Sequence, residues 1–120
     1  MNEFGDFIHE KRVGLKLSMR DVAKKLDISA PFLSDVEKGR RGPFDYDKLK
    51  LLVEVLDLSE EEEHKMLDLA GQYRDTIAPD LPEYIKEKEY VSAALRTARD
   101  LDAGEEEWKA FVEELRRSRD

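Results

Sequence analysis

The chain has 120 residues, of which 42% are charged and 40% hydrophobic, a mixture that favours amphipathic helices around one small core. It contains no cysteine, which excludes disulfides, thiolate zinc sites and cysteine nucleophiles. No segment approaches the ~18 consecutive apolar residues of a membrane span, and the N-terminus lacks a signal-peptide pattern. We therefore expect a soluble, cytoplasmic protein that does not associate with membranes.

The formal charge of −8 is unevenly distributed along the chain. Residues 1–58 carry 11 Lys/Arg and 11 Asp/Glu, whereas residues 59–120 carry 10 and 18, so the whole imbalance falls in the second part. This asymmetry predicts two parts with different partners. We place them at residues 1–74 and at residues 75–120, an acidic helical extension.

Helical periodicity begins at the N-terminus, where apolar residues predict a first helix over residues 3–15. Ser18 predicts the N-cap of a short second helix. Asp27 follows that helix at a position suited to a left-handed turn. Ser29 then predicts the N-cap of a third helix, which Gly39 ends.

Two further helices complete the first part. The fourth begins near Asp45, and the fifth begins with a capping box formed by Ser59 and Glu62 and runs to about Arg74. Residues 75–82 contain two prolines and predict a linker.

The second part contains further helical stripes, beginning with a short helix around residues 83–88 and a longer one that ends before Gly104. The last helix carries an apolar stripe formed by Trp108, Phe111, Val112 and Leu115. We interpret this stripe as internal packing or as a dimer or partner surface. No alternating segment predicts a strand, so the fold class is all-α.

Candidate catalytic and metal-binding groups are sparse. His9 and His64 are interpreted as exposed helical histidines without partners rather than as ligands. The acidic runs 60–63 and 105–107 fit the N-terminal ends of helices, although a cation site or mimicry of DNA phosphates is the alternative. We expect no metal site, no cofactor and no enzymatic activity.

One segment is specific. The sequence from Ser18 to Ser29, SMRDVAKKLDIS, and the sequence from Phe32 to Arg41, FLSDVEKGRR, followed by Pro43, resemble the phage-repressor/Cro-like (XRE-type) helix-turn-helix family. The resemblance extends from Phe4 to Leu56. It implies a lambda-repressor-like five-helix DNA-binding domain, whose recognition helix at about residues 29–38 enters the major groove.

The resemblance also implies the roles of individual residues. The positions that face the bases are Ala30, Pro31, Phe32 and Asp35. The positions that face phosphates are Ser18, Met19, Arg20, Ser29, Lys38, Arg40 and Arg41. Arg12 and Glu37 occupy the positions of a structural ion pair.

Three departures from the family pattern affect this interpretation. Met19 stands where the family commonly has glutamine, and Asp27 where it commonly has glycine. The base-facing set lacks Arg, Lys, Asn and Gln, the usual donors to guanine and adenine. Whether Phe32 contacts DNA or the core stays open.

The predicted function is that of a sequence-specific transcriptional regulator, repressor-like, which binds double-stranded DNA as a homodimer. The alternative is an antitoxin or adaptor whose acidic second half binds a protein partner. In that case DNA binding is only autoregulatory or has been lost.

Overall fold

The computed structural model describes residues 3–119 and shows only helices and turns within that range. The helices, in chain order, are α1 (Glu3–Gly14), α2 (Met19–Lys25), α3 (Ala30–Glu37), α4 (Tyr46–Val55), α5 (Glu60–Tyr73), α6 (Pro82–Glu87), α7 (Glu89–Asp100) and α8 (Glu105–Arg119). The predicted all-α class is confirmed. Over residues 3–119, no helix has both the length and the apolar character that crossing a membrane requires.

The chain divides into two compact units after Pro82. The first unit contains α1 to α5 and encloses one apolar core. Its largest fully buried side chains are Phe4, Ile8, Leu26, Leu33, Leu49, Leu52, Leu56, Met66, Val22 and Val36.

The segment that follows α5 packs on the first unit instead of forming an open linker. Ala78 is only 7% exposed. A methyl group added at Gly71 would lie 2.6 Å from the backbone carbon of Ile77, so the two backbones are in close contact there. This contact holds residues 77 and 78 against α5, within the first unit.

Side-chain caps define where four of the helices begin. In each case a side-chain oxygen accepts the backbone N–H three residues further on, at 3.0 to 3.2 Å. The capping residues are Ser18, Ser29, Asp45 and Ser59. Glu62 also accepts the backbone N–H of Ser59 at 2.9 Å, which confirms the predicted capping box. These caps satisfy backbone donors that the helices leave unpaired.

Aspartates occupy the left-handed position after four of the helices: Asp27, Asp57, Asp75 and Asp102, with φ between 49° and 58°. The predicted turn at Asp27 is therefore confirmed. Gly39 has φ 78° after α3, as expected of a glycine that ends a helix.

The second unit consists of α7, α8 and most of α6. None of these three helices contains a buried residue. Both α7 and α8 are amphipathic. Their apolar faces remain partly accessible to solvent.

Candidate nucleic-acid interface

Helices α2 and α3 pack on each other through the turn that joins them. Val22, Leu26 and Leu33 are fully buried in the core that the two helices share. At the turn, the Ile28 N–H donates to the Ala23 carbonyl at 3.0 Å, and Asp27 takes up the left-handed conformation. Two short helices fixed in this way form a helix-turn-helix.

A lysine from α4 stabilises the end of α2. The ammonium of Lys48 donates to the backbone carbonyl of Leu26 at 2.8 Å. Carbonyls at the C-terminal end of a helix lack intrahelical donors, so this cation satisfies one of them and also interacts favourably with the helix dipole. No local pattern in the sequence indicates this role of Lys48, because its acceptor lies 22 residues away.

An ion pair with α1 fixes the C-terminal end of α3. Arg12 donates from Nε to Glu37 Oε2 at 2.8 Å and from Nη2 to Oε1 at 3.0 Å. The Glu37 side chain is 3% exposed and that of Arg12 is 11% exposed. The hydrogen bond to Glu37 raises the pKa of Arg12 above its ordinary value, although burial opposes this effect.

His9 joins the same cluster. Its Nδ1 lies 2.9 Å from Oε1 of Glu37, although more than half of its side chain is exposed. The prediction of an exposed histidine is confirmed, but the expectation that it has no partner is wrong. Glu37 lies 28 residues away in the sequence, and no local pattern connects the two residues.

A glycine lets α1 approach α3 closely. A Cβ at Gly5 would lie 2.5 Å from the Glu37 carbonyl oxygen and 2.6 Å from that of Val36. Real Cβ atoms do not come so close to backbone oxygens, so only glycine fits this position. Gly5 and the ion pair together determine how α3 sits on the core.

The N-terminal turn of α3 presents small apolar side chains. Pro31 is exposed and Ala30 is half-buried. Asp35, one turn further on, lies 4.0 Å from Arg40 through Oδ1 and Nη1, and both side chains are well exposed. A pair of this kind is weak, so Asp35 remains accessible to a ligand.

Phe32 packs against the core and supports an arginine. Its ring stacks on that of Phe44, with centroids 5.8 Å apart, and Phe44 is 4% exposed. The guanidinium carbon of Arg41 lies 3.9 Å from the centre of the Phe32 ring. These two contacts support a packing and positioning role for Phe32, and its base-facing role stays a prediction.

At the start of α2, the residues expected to meet phosphates differ in character. Ser18 and Arg20 are exposed, whereas Met19 is half-buried and packs against the core. The Met19 side chain has no donor, so only its backbone N–H could serve a phosphate there. Ser29 is exposed at the start of α3.

Three cations follow α3 on the surface: Lys38, Arg40 and Arg41 are all exposed. The loop that carries them is held by Arg74, whose guanidinium donates to the backbone carbonyls of Pro43 and Phe44. Nothing local in the sequence indicates this contact, because Arg74 lies 31 residues from Pro43.

The local charge is opposite in sign to that of the whole chain. Residues 18–41 contain six Lys/Arg and four Asp/Glu, within a chain of net charge −8. Of the four acidic residues, Glu37 is buried against Arg12 and Asp35 lies beside Arg40. The surface of the helix-turn-helix is therefore effectively basic, which favours a polyanion.

In the second unit, the apolar stripe of α8 stays accessible. Trp108, Phe111, Val112 and Leu115 are 40%, 53%, 42% and 41% exposed. Trp108 and Phe111 contact each other edge-to-face, with centroids 6.1 Å apart. Over residues 3–119, no three His, Asp or Glu side chains come together in a way that could hold a metal ion.

Comparison with known proteins gives a family match that lies within the first unit. A protein-family model described as helix-turn-helix matches residues 8–62. No curated protein and no solved structure matches the chain.

Proposed function

We propose that this chain is a sequence-specific transcriptional regulator that represses by occupying an operator. Its residues 8–62 belong to the XRE-type helix-turn-helix family of Cro and lambda repressor. The observation that carries this proposal is the accessible N-terminal turn of α3, flanked by exposed Arg20, Lys38, Arg40 and Arg41 in an acidic chain. Helix α3 enters the major groove, and the cations neutralise phosphates on either side.

Base reading in this proposal is sparse. Ala30 and Pro31 contact thymine methyl groups, and Asp35 accepts from a cytosine amino group. No arginine or amide side chain is available for bidentate contacts at these positions. Most of the affinity therefore comes from phosphate contacts and DNA shape, and it falls steeply with salt.

The salt dependence of binding tests the phosphate contacts. Operator fragments are first selected from random duplex DNA, and fluorescence anisotropy then gives the affinity over a range of salt concentrations. Because each phosphate contact contributes about 0.9 to the slope of log K against log salt, the double variant Arg40→Ala/Arg41→Ala should lower that slope by about 2.

A matched control removes two exposed cations elsewhere. Lys65→Ala/Lys86→Ala changes the net charge equally and should leave the slope nearly unchanged. No binding to any duplex at low salt would contradict the proposal and favour a helix-turn-helix that serves only for assembly. The selected fragments also test dimeric recognition, which predicts half-sites about one helical turn apart.

An antitoxin or adaptor role for residues 75–120 is the second candidate, favoured by the accessible apolar stripe of α8. It predicts that the product of a neighbouring gene binds the full chain and that Trp108→Glu abolishes this binding. DNA binding by the same variant is the control.

A further inference from the structure

Helix α8 presents an apolar face that its own unit does not bury. Its four members, Trp108, Phe111, Val112 and Leu115, each remain at least 40% exposed. No residue of α6, α7 or α8 is buried. The helices of the second unit therefore leave this face accessible.

The second unit, residues 83–120, is small and its helices bury no residue. Units below about 40 residues rarely bury enough surface to fold alone and usually require disulfides, a metal or association. The chain has no cysteine, and its described residues offer no metal site. Association is a further source of stability, and the accessible apolar face of α8 is available for it.

The charges along α8 show which occupant fits. Its first turn contains Glu105, Glu106 and Glu107, and its last turn contains Arg116, Arg117 and Arg119. Two copies side by side in parallel would bring acidic turns together, whereas antiparallel copies bring each acidic turn against a basic one. The helix dipoles also attract each other in the antiparallel arrangement.

We propose that α8 pairs with α8 of a second copy of this chain, antiparallel, about a two-fold axis perpendicular to the helix. Such an axis makes the interface self-complementary, and the apolar stripe of one copy covers that of the other. This pairing does not depend on DNA, although it would provide the dimer that the proposed function uses.

The position of the charges around the helix supports the pairing. At about 3.6 residues per turn, Glu105, Arg116 and Arg119 lie along the same side of the stripe. The two-fold axis places this side of one α8 next to the same side of the other α8, and the two helices run in opposite directions. Glu105 of one copy therefore faces Arg116 and Arg119 of the other, as charged flanks do in coiled coils.

The other side of the stripe carries Glu107 and Glu114, which the axis brings toward each other. Arg117 moderates their repulsion, because its Nη1 donates to Glu114 at 2.8 Å. On the first side, Lys109 donates to Glu105 at 2.6 Å. Both are exposed pairs within one helix, which rearrange at little cost when a partner binds.

Charge exchange between two variants of the full chain tests this pairing. Glu105→Arg leaves basic residues at both ends of the side of the stripe that carries Arg116 and Arg119, and Arg116→Glu/Arg119→Glu leaves acidic residues at both ends of that side. Sedimentation equilibrium without DNA should show a dimer for the unaltered chain, a monomer for each variant, and a dimer again for their equimolar mixture. Restoration in the mixture separates pairing from any loss of helix in the individual variants.

Trp108 provides a second measurement, because it is the only tryptophan in the sequence. Its emission should shift to the red when the unaltered chain is diluted, and to the blue when the two variants are mixed. A monomeric unaltered chain, variants that remain dimeric, or a mixture that stays monomeric would each overturn the proposal. A monomer that still binds operator DNA would leave the proposed function standing.

Discussion

Arg41 lies over the ring of Phe32, with its guanidinium carbon 3.9 Å from the ring centre. Phe32 is stacked in turn on the buried Phe44, so a continuous set of contacts runs from the core to the exposed Arg41 beside α3. A positioned arginine loses less conformational entropy when it meets a phosphate. Under the proposed function, this contact therefore links packing to DNA affinity.

Phe32→Leu should weaken operator binding because Arg41 loses its aromatic support. An exposed cation–π contact is worth about 0.5–1 kcal/mol, so we expect a loss of about two- to five-fold in affinity. Fluorescence anisotropy at fixed salt measures it. In an Arg41→Ala background the same substitution should have almost no further effect; an equal loss in both backgrounds would show that Phe32 acts without Arg41.

Arg12→Leu should destabilise the first unit strongly. It leaves the Glu37 carboxylate, which is 3% exposed, without its bidentate partner. Losing one member of a buried pair costs about 3–5 kcal/mol in the free energy of unfolding. Urea unfolding followed by circular dichroism measures this loss.

The double variant Arg12→Leu/Glu37→Leu is the informative comparison for that pair. Because it removes both charges from the interior, it should be more stable than Arg12→Leu alone. His9→Gln is the matched control, since His9 touches the same carboxylate but is largely exposed, and it should change stability little. Unchanged unfolding of Arg12→Leu would exclude a structural role for the pair.

Two glycines of α1 should respond in opposite directions to the same substitution. Gly5→Ala places a Cβ against two backbone oxygens of α3 and should destabilise by about 1–3 kcal/mol. Gly14→Ala meets nothing within 4 Å and should stabilise by about 0.5–1 kcal/mol, because alanine is the better helix former. Thermal unfolding of both variants measures the difference. Equal shifts in Tm would contradict the close approach of α1 to α3.

Glu62 should titrate at unusually low pH. A hydrogen bond from Lys11, together with the Ser59 backbone N–H, lowers its pKa from an ordinary 4.5 to about 2. Since the folded pKa is the lower one, the stabilisation is complete above pH 4.5 and is lost as the pH falls through 2. The carboxyl carbon shift in an NMR titration reports this pKa directly.

Lys11→Met should move the Glu62 pKa back toward its ordinary value. Lys50→Met removes an equal charge from the exposed part of α4 and should leave the Glu62 pKa in place. A Glu62 that titrates identically in the original chain and in Lys11→Met would show that the two groups do not interact in solution.

Much of the helix-turn-helix could be predicted from the sequence because its signals are local. Ser18, Ser29 and Ser59 cap helices through hydrogen bonds that span three residues. Asp27 takes up the left-handed turn by its own backbone preference. Such contacts lie within one turn of chain, so the order of residue types reveals them.

Contacts between distant segments were decided by the tertiary structure. Phe32 could not be assigned to DNA or core from sequence, because the answer depends on where Phe44 and Arg41 lie after the chain has folded. The same holds for His9 beside Glu37 and for Arg74 on the loop after α3.

The sequence by itself therefore determined the helices, their caps and the family of the first unit. Only packing decided which side chains reach the surface of α3 and which support it. The physical reason is the sequence separation of the contacting groups. A cap satisfies the backbone of its own helix, whereas a cation–π contact or a buried ion pair requires two remote segments. Burial of the core brings such segments together.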